Sequence, residues 1–307
     1  MKKVVVILPT YNGEKYLEEL LDSIYNQSYP NIEIITRDDC STDKTSSIIL
    51  SYSKKKIKGR KITIIDNENK ILKCPDCFIK LLEVAPVADY YCFCDQDDVW
   101  LPNKIEDAVK EIEKKSYKEP TLHFGSYDFC TFDLKFLYKS PSLKKECSLY
   151  QVVYDYWPLG FNITFNRALY DKVMKKRPKK IYYHDCWFAQ VAAGVGNFIC
   201  SNESTVKYRR QEGAVTYFNR NTLSLYLCRI KRFFTNDKKE LLKLKRILKE
   251  YYKLYKKDLN NEDKNLLDIL TNDNIKNYFK RIFFPKKLRQ KIVDEIGLRL
   301  LFVLGML

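Results

Sequence analysis

Histidine is nearly absent, with only His123 and His184 in 307 residues. That is too few for a histidine-based metal cluster, so any metal chemistry has to rest on other ligands. Long apolar runs are missing too, and no stretch reaches the roughly eighteen residues of a spanning helix. The opening MKKVVVILPTYNGE carries two lysines and an apolar run, but the run stops at Pro9, short of a signal-peptide hydrophobic region. The expectation is a cytoplasmic chain whose ten cysteines act as small apolar residues in a reducing environment. Cys74 and Cys77 with Cys92 and Cys94 offer four thiolates, but the second pair lies in a strand pattern and the spacing is not that of a zinc ribbon. No G-x-G-x-x-G follows the first strand and no G-x-x-x-x-G-K-[ST] occurs, which excludes the usual dinucleotide cradle and the P-loop.

What is present is enough apolar residue, 45%, for a sizeable core. The net charge of +16 points to anionic partners. It is concentrated: Cys228 to Lys257 holds twelve Lys or Arg against three Asp or Glu. A nucleic-acid partner would rest on this charge alone, with no recognition motif, and none is expected.

The first hundred residues alternate between two periods. Lys3 to Leu8, Ile32 to Thr36, Lys61 to Ile65 and Tyr90 to Cys94 are continuous apolar or β-branched runs, the pattern of strands buried on both faces. Between them Leu17, Leu20, Leu21 and Ile24 mark one helical face, and helices are expected through Ile48 and over Phe78 to Val84. The spacing predicts an α/β fold with a parallel sheet covered on both faces. Later, strands are expected at Leu122–Gly125, Phe161–Phe165, Asn197–Cys200 and Thr205–Tyr208. Helices are expected over Leu149–Tyr156 and Phe188–Val195.

Open α/β sheets bind ligands beyond the carboxyl ends of their strands, and the unusual residues lie there. Pro9 to Gly13 follows the first strand, Asp38 and Asp39 the second, and Asp95, Asp97 and Asp98 the fourth. In an extended chain Asp95 and Asp97 share one side. Two hard oxygen ligands suit magnesium or manganese, which accept substrate phosphates in their remaining positions. A solvated acidic turn is the alternative for such a pair taken alone.

Read in order, VVVILPTYNGEKYLEELLDSIYNQSYPNIEI, RDDCSTDKT and YYCFCDQDDVWLPNK resemble glycosyltransferase family 2, most closely its rhamnosyltransferase-like bacterial surface-polysaccharide members. The likeness covers roughly residues 1 to 215. It implies a GT-A fold, a Rossmann-like, mostly parallel sheet, in residues 1–215, with residues 216–307 as a basic helical appendage. It implies an inverting transfer from a nucleotide-sugar donor to a saccharide or lipid-linked acceptor, assisted by a divalent cation, Mn or Mg. The implied donor residues are Pro9, Thr10, Tyr11, Asn12, Asp38, Asp39, Asp95 and Gln96. Asp95, Asp97 and Gln211 are implied at the metal, Asp185 as catalytic base, and Trp187 and His184 at the acceptor. Gln211 stands where family members often carry histidine, and Asn69-Lys70-Ile71 and Cys77-Phe78 depart from the usual pattern. A non-catalytic binding or scaffolding subunit on the same fold is the rival reading.

In the basic segment Leu241, Leu244, Leu248, Tyr251 and Tyr255 fall at helical spacing with lysines between. This is the composition of an interfacial helix on an anionic membrane, and equally of a helix packed on the domain with a solvated basic face. Leu298 to Leu307 is either a core plug or a second membrane contact. A location at the inner face of the cell membrane is expected.

Overall fold

The computed structural model describes residues 2–154, 158–210, 238–289 and 292–307. Strands β1 (Val4–Thr10), β2 (Ile32–Asp38), β3 (Arg60–Ile64) and β4 (Tyr90–Phe93) form the parallel half of a nine-stranded sheet, in the order β3-β2-β1-β4. Val4 to Leu8 are fully buried, as an apolar run without polar alternation demands when helices cover both faces. Helices α1 (Leu17–Tyr25), α2 (Thr45–Ser53) and α3 (Asp76–Val84) make the crossovers. The predicted stripe Leu17, Leu20, Leu21 and Ile24 is the buried face of α1.

Beyond β4 the sheet becomes mixed. After β5 (Val99–Trp100) and α4 (Lys104–Ile112) come β6 (Thr121–Cys130), β7 (Phe136–Lys139), β8 (Ile163–Asn166), α5 (Arg167–Lys175), α6 (His184–Val195) and β9 (Asn197–Arg209). β8 lies antiparallel between β4 and β6, whereas β9 runs parallel to β6. The parallel expectation therefore holds over the first four strands. It stops where β6 and β8 are joined by β7 and 3-10 turns instead of a helical crossover. The two short strands expected at Asn197–Cys200 and Thr205–Tyr208 are one, because register shifts between Gly125 and Tyr127 absorb the polar segment between them. In place of the helix expected from Leu149, the described residues show a 3-10 turn at Leu149–Gln151, closed by a Ser148–Gln151 capping box.

Four helices follow: α7 (Lys238–Tyr255), α8 (Asn261–Thr271), α9 (Ile275–Ile282) and α10 (Ile292–Val303). The stripe Leu241, Leu244, Leu248, Tyr251, Tyr255 on α7 is wholly buried. Tyr251 and Tyr255 meet the Trp187 ring of α6 at 5.9 and 6.2 Å. The Tyr255 hydroxyl donates to the carbonyl of Lys176 at 2.7 Å, and Asp258 pairs with Lys172 and Lys176. The interfacial reading of α7 is thereby corrected, since its apolar face is spent inside the protein and only its basic face reaches solvent. None of the described helices is long and apolar enough to cross a membrane.

Trp187 is 1% exposed and joins α6 to α7. Emptying such a site costs about 3–5 kcal/mol. Trp187→Ala is expected to lower unfolding stability by that much in urea, in a single cooperative transition. A separate early transition would show that α7 to α10 fold independently of the sheet.

Candidate active site

The register of the parallel strands assembles the site. Pairing places Thr10 opposite Asp38 and Ile7 opposite Phe93, so β1, β2 and β4 end along one edge. The Thr10 hydroxyl donates to Asp38 Oδ1 at 3.0 Å, and the Asp39 amide donates to the Thr10 carbonyl at 2.8 Å. Asp38 also accepts from the hydroxyls of Ser41 at 2.5 Å and Ser46 at 2.7 Å. Asn12, at a φ of 46°, accepts the Thr42 amide on its Oδ1 at 2.9 Å and donates its own amide to Ser41 Oγ at 2.8 Å. The loops after β1 and β2 are thus bonded to each other before any ligand arrives.

Asp39 is the anchor of a third loop. The amides of Leu72 and Lys73 donate to it at 3.0 and 2.7 Å, and Arg37 adds a buried ion pair. Burial opposes its ionisation, but these two amides and the guanidinium more than offset it and hold the carboxyl below the usual range. Arg37 also donates to the carbonyls of Asn67 and Lys70, so one buried arginine fixes the chain between β3 and α3. Sequence reasoning missed Arg37; the available signal was an arginine near the end of a strand buried throughout.

At the end of β4, Gln96 reaches across to the first loop. Its Oε1 accepts the Tyr11 amide and its Nε2 donates to the Tyr11 carbonyl, both at 2.8 Å. Gly13 is needed for this approach, because a Cβ there would lie 2.6 Å from Gln96 Oε1. The Tyr11 side chain stands half-exposed beside the clamp, while Pro9 pairs with Arg37 in the strand register.

The carboxylates converge from two elements. Asp95 follows β4, and Asp185 sits in the first turn of α6. Burial, followed by the negative charges of Asp97 and Asp185, pushes the Asp95 carboxyl up to about 7. Cys74 lies near the same charges, and its thiol is raised by burial and then by Asp95 and Asp185. Asp185 Oδ1 accepts the Cys186 amide at 2.8 Å, leaving its second oxygen without a protein donor among the described residues. Asp98 has a different role. It is fully buried, with Oδ1 3.4 Å from the Arg209 amide, and it ties the loop after β4 to the end of β9.

An accumulation of acid charge of this kind fits a cation. Among the described residues no group of three or more His, Cys, Asp or Glu side chains is placed to hold a metal ion. Asp95 and Asp97 are carboxylates, the ligand type that Mg and Mn take together with water and substrate oxygens. Gln211, the third expected ligand, lies outside the described residues.

The two residues expected at the acceptor lie elsewhere. Trp187 faces the core against α7 and presents no face to a saccharide. His184 is buried, stacked on Phe78 at 3.9 Å and set edge-on to Phe93 at 4.6 Å. Its burial lowers its pKa and favours the neutral ring. Gly160 makes room for that ring, since a Cβ there would lie 2.8 Å from His184 Nε2. Both side chains therefore fix the start of α6, and with it Asp185, by packing.

A family model described as glycosyl transferase family 2 matches residues 5–177. An uncharacterized glycosyltransferase of Rickettsia prowazekii is 37% identical over 40% of this chain and 36% of its own length. Another, of Rickettsia typhi, is 29% identical over 73% of this chain and 69% of its own. A dTDP-rhamnosyl transferase of Shigella flexneri is 38% identical over 33% of this chain and 35% of its own. The chain thus spans little more than a third of two of these three relatives. Among solved structures, S. aureus TarS 1-349 in complex with UDP-GlcNAc superposes with a TM-score of 0.61 at 18% identity, over 99% of this chain and 80% of that one. A mannosyltransferase of Pyrobaculum calidifontis, in complex with GDP-Man and Mn2+, gives 0.53 at 17% identity, over 99% and 74%. These two establish the fold.

Asp39 gives a test that needs no substrate. A carboxyl whose pKa is depressed on folding stabilises above its unfolded value, about 4, and loses that contribution as pH falls through the folded value. Asp39→Asn is expected to be less stable than the parent at pH 7, with the gap closing below about pH 4. A gap that does not change with pH would show that the charge on Asp39 contributes nothing.

Proposed function

The chain belongs to glycosyl transferase family 2, and on that premise we propose that it moves a sugar from a nucleoside-diphosphate donor to a saccharide acceptor, with inversion, in surface polysaccharide synthesis. The observation that supports this reading is that Asp97 and Asp185 lie close enough to raise the Asp95 carboxyl, at the strand ends where Thr10 donates to Asp38. The printed names of relatives and neighbours support the substrate classes, a dTDP-linked rhamnosyl group in one and UDP-GlcNAc or GDP-Man in others. We take residues 1–215 as the catalytic part and residues 216–307 as a basic helical part. A lipid-linked acceptor at the inner face of the cell membrane is included in the proposal.

In this reading Asp38 and Asp39 hold the nucleoside, and the clamped Pro9–Asn12 loop with Gln96 lines its pocket. Asp95 and Asp97 would hold a divalent cation, which when bound neutralises charge on the leaving diphosphate. Asp185 supplies the base. A sugar hydroxyl is not ionised near neutral pH, so its proton must leave as its oxygen bonds to the anomeric carbon and the bond to the diphosphate breaks. The second oxygen of Asp185 takes that proton. The amide on its first oxygen and the packed His184 ring before it hold the carboxylate in place. One displacement from the face opposite the diphosphate inverts the anomeric centre.

Two substitutions separate the roles, with diphosphate release measured against a panel of nucleotide sugars. Asp97→Ala is expected to abolish turnover and Mn-dependent donor binding while leaving thermal unfolding close to the parent's, because a residue at a strand end supports little core. Full turnover in this variant would remove Asp97 from the metal site. Asp185→Asn is expected to lower kcat by about 10²-fold or more with donor affinity little changed. Lost donor affinity with surviving kcat would make Asp185 a binding residue.

A further inference from the structure

We infer that the outer face of the α9–α10 hairpin is a docking surface for an anionic lipid membrane; this deepens the membrane location proposed above and rests on it. α9 is turned inside out for a helix in water. Its buried residues are Asn277 and Arg281. Arg281 donates to the carbonyls of Leu307 at 2.8 Å and Asn272 at 3.3 Å, and Asn277 to that of Asp268 at 3.0 Å. Its outer stripe is apolar, with Ile275 81%, Phe279 55% and Phe283 77% exposed at i, i+4 and i+8.

α10 adds a second stripe. Ile296, Leu300 and Val303 are each about half exposed, while Leu298, Leu301 and Phe302 fill the core behind them. The helices run antiparallel, braced by Arg299 on the carbonyls of Arg281 and Lys286, both at 2.8 Å, and by the Tyr278 hydroxyl on the Val303 carbonyl at 2.6 Å. Nine of the twenty large apolar side chains exposed among the described residues lie between Ile275 and Leu304, a tenth of the chain. Concentration on that scale marks an interaction surface.

Charge selects the occupant. From Ile275 to Val303 the sequence holds eight Lys or Arg against two acids, Asp294 and Glu295, and Glu295 is buried. Lys276 and Lys280 alternate with the exposed apolar side chains, and Lys287 follows them, all three open to solvent. A second copy laid on this face would set basic side chains against their own kind, whereas an anionic lipid surface attracts them. A twelve-residue helix is about 18 Å long, well under the roughly 30 Å of a bilayer core, so α10 lies along the interface. α7, whose stripe is buried, cannot supply the apolar contact.

The experiment is sedimentation of the full chain with large vesicles of phosphatidylcholine, with and without phosphatidylglycerol, at low and high salt. The parent is expected to pellet with the anionic vesicles at low salt and to be largely released at high salt. Phe279→Ser with Phe283→Ser is expected to weaken partitioning about tenfold or more. Lys253→Ser with Lys257→Ser, in the last turn of α7 and just beyond it, is expected to leave it near the parent's. A parent that stays in the supernatant with anionic vesicles overturns the inference, as does a phenylalanine pair variant that binds like the parent. A dimer in sedimentation velocity that this variant loses, without vesicle binding by the parent, would assign the face to a second copy and also overturn it. Binding of UDP, GDP and dTDP with Mn2+ is measured on the same preparations. Intact nucleotide binding without vesicle binding condemns this surface alone, and the converse condemns the transfer reading alone.

Discussion

Parallel pairing of β1 with β2 on one side and β4 on the other is the constraint on which the site depends. A parallel register cannot slip by one residue without moving every buried side chain to the opposite face of the sheet, against the other helix layer. Val4 to Leu8 are fully buried, so the alignment of Thr10 with Asp38 and of β1 with the end of β4 is fixed by the core. The polar groups at the strand ends are carried to one edge by buried apolar residues. The hydrogen bonds there, Thr10 to Asp38 and Gln96 to Tyr11, refine a juxtaposition already imposed.

That edge concentrates unfavourable charge. Asp95 is pushed up to about 7 by burial and by its acidic neighbours, an arrangement that folding alone would not favour. Asp39, a short distance along the chain's other arm, is in the opposite condition, compensated by two amides and a buried arginine. One carboxylate is finished internally and serves as architecture and as a fixed contact. The other cluster, Asp95 with Asp97 and Asp185, keeps its negative charges close together.

How much of this was legible in the sequence depended on whether a pattern named its own partner. The strands β1 to β4 were legible because a continuous β-branched run demands cover on both faces, and the acids at their ends follow from where strands stop. α7 was legible as an amphipathic helix, but a stripe of Leu and Tyr does not say what it faces, and it faces Trp187. Trp187 and His184 sat beside Asp185 in sequence and looked like acceptor contacts, yet at helical spacing neighbours point apart and both point into the core. Arg37 and Gln96 act through contacts about thirty and eighty-five residues away, which no local pattern records. The outward stripe of α9 was hidden because reading it requires knowing that Arg281 and Asn277 are the buried side.

The central claim is the proposal that the acidic edge at Asp95 and Asp97 becomes a donor site when a cation joins it. Isothermal titration of the full-length parent with UDP-, GDP- and dTDP-linked sugars, in Mn2+ and then in excess chelator, addresses this most directly. The account predicts that at least one donor binds in Mn2+ and that its affinity falls by about tenfold or more in chelator. Equal affinity in both conditions, or binding of no donor in either, would contradict it.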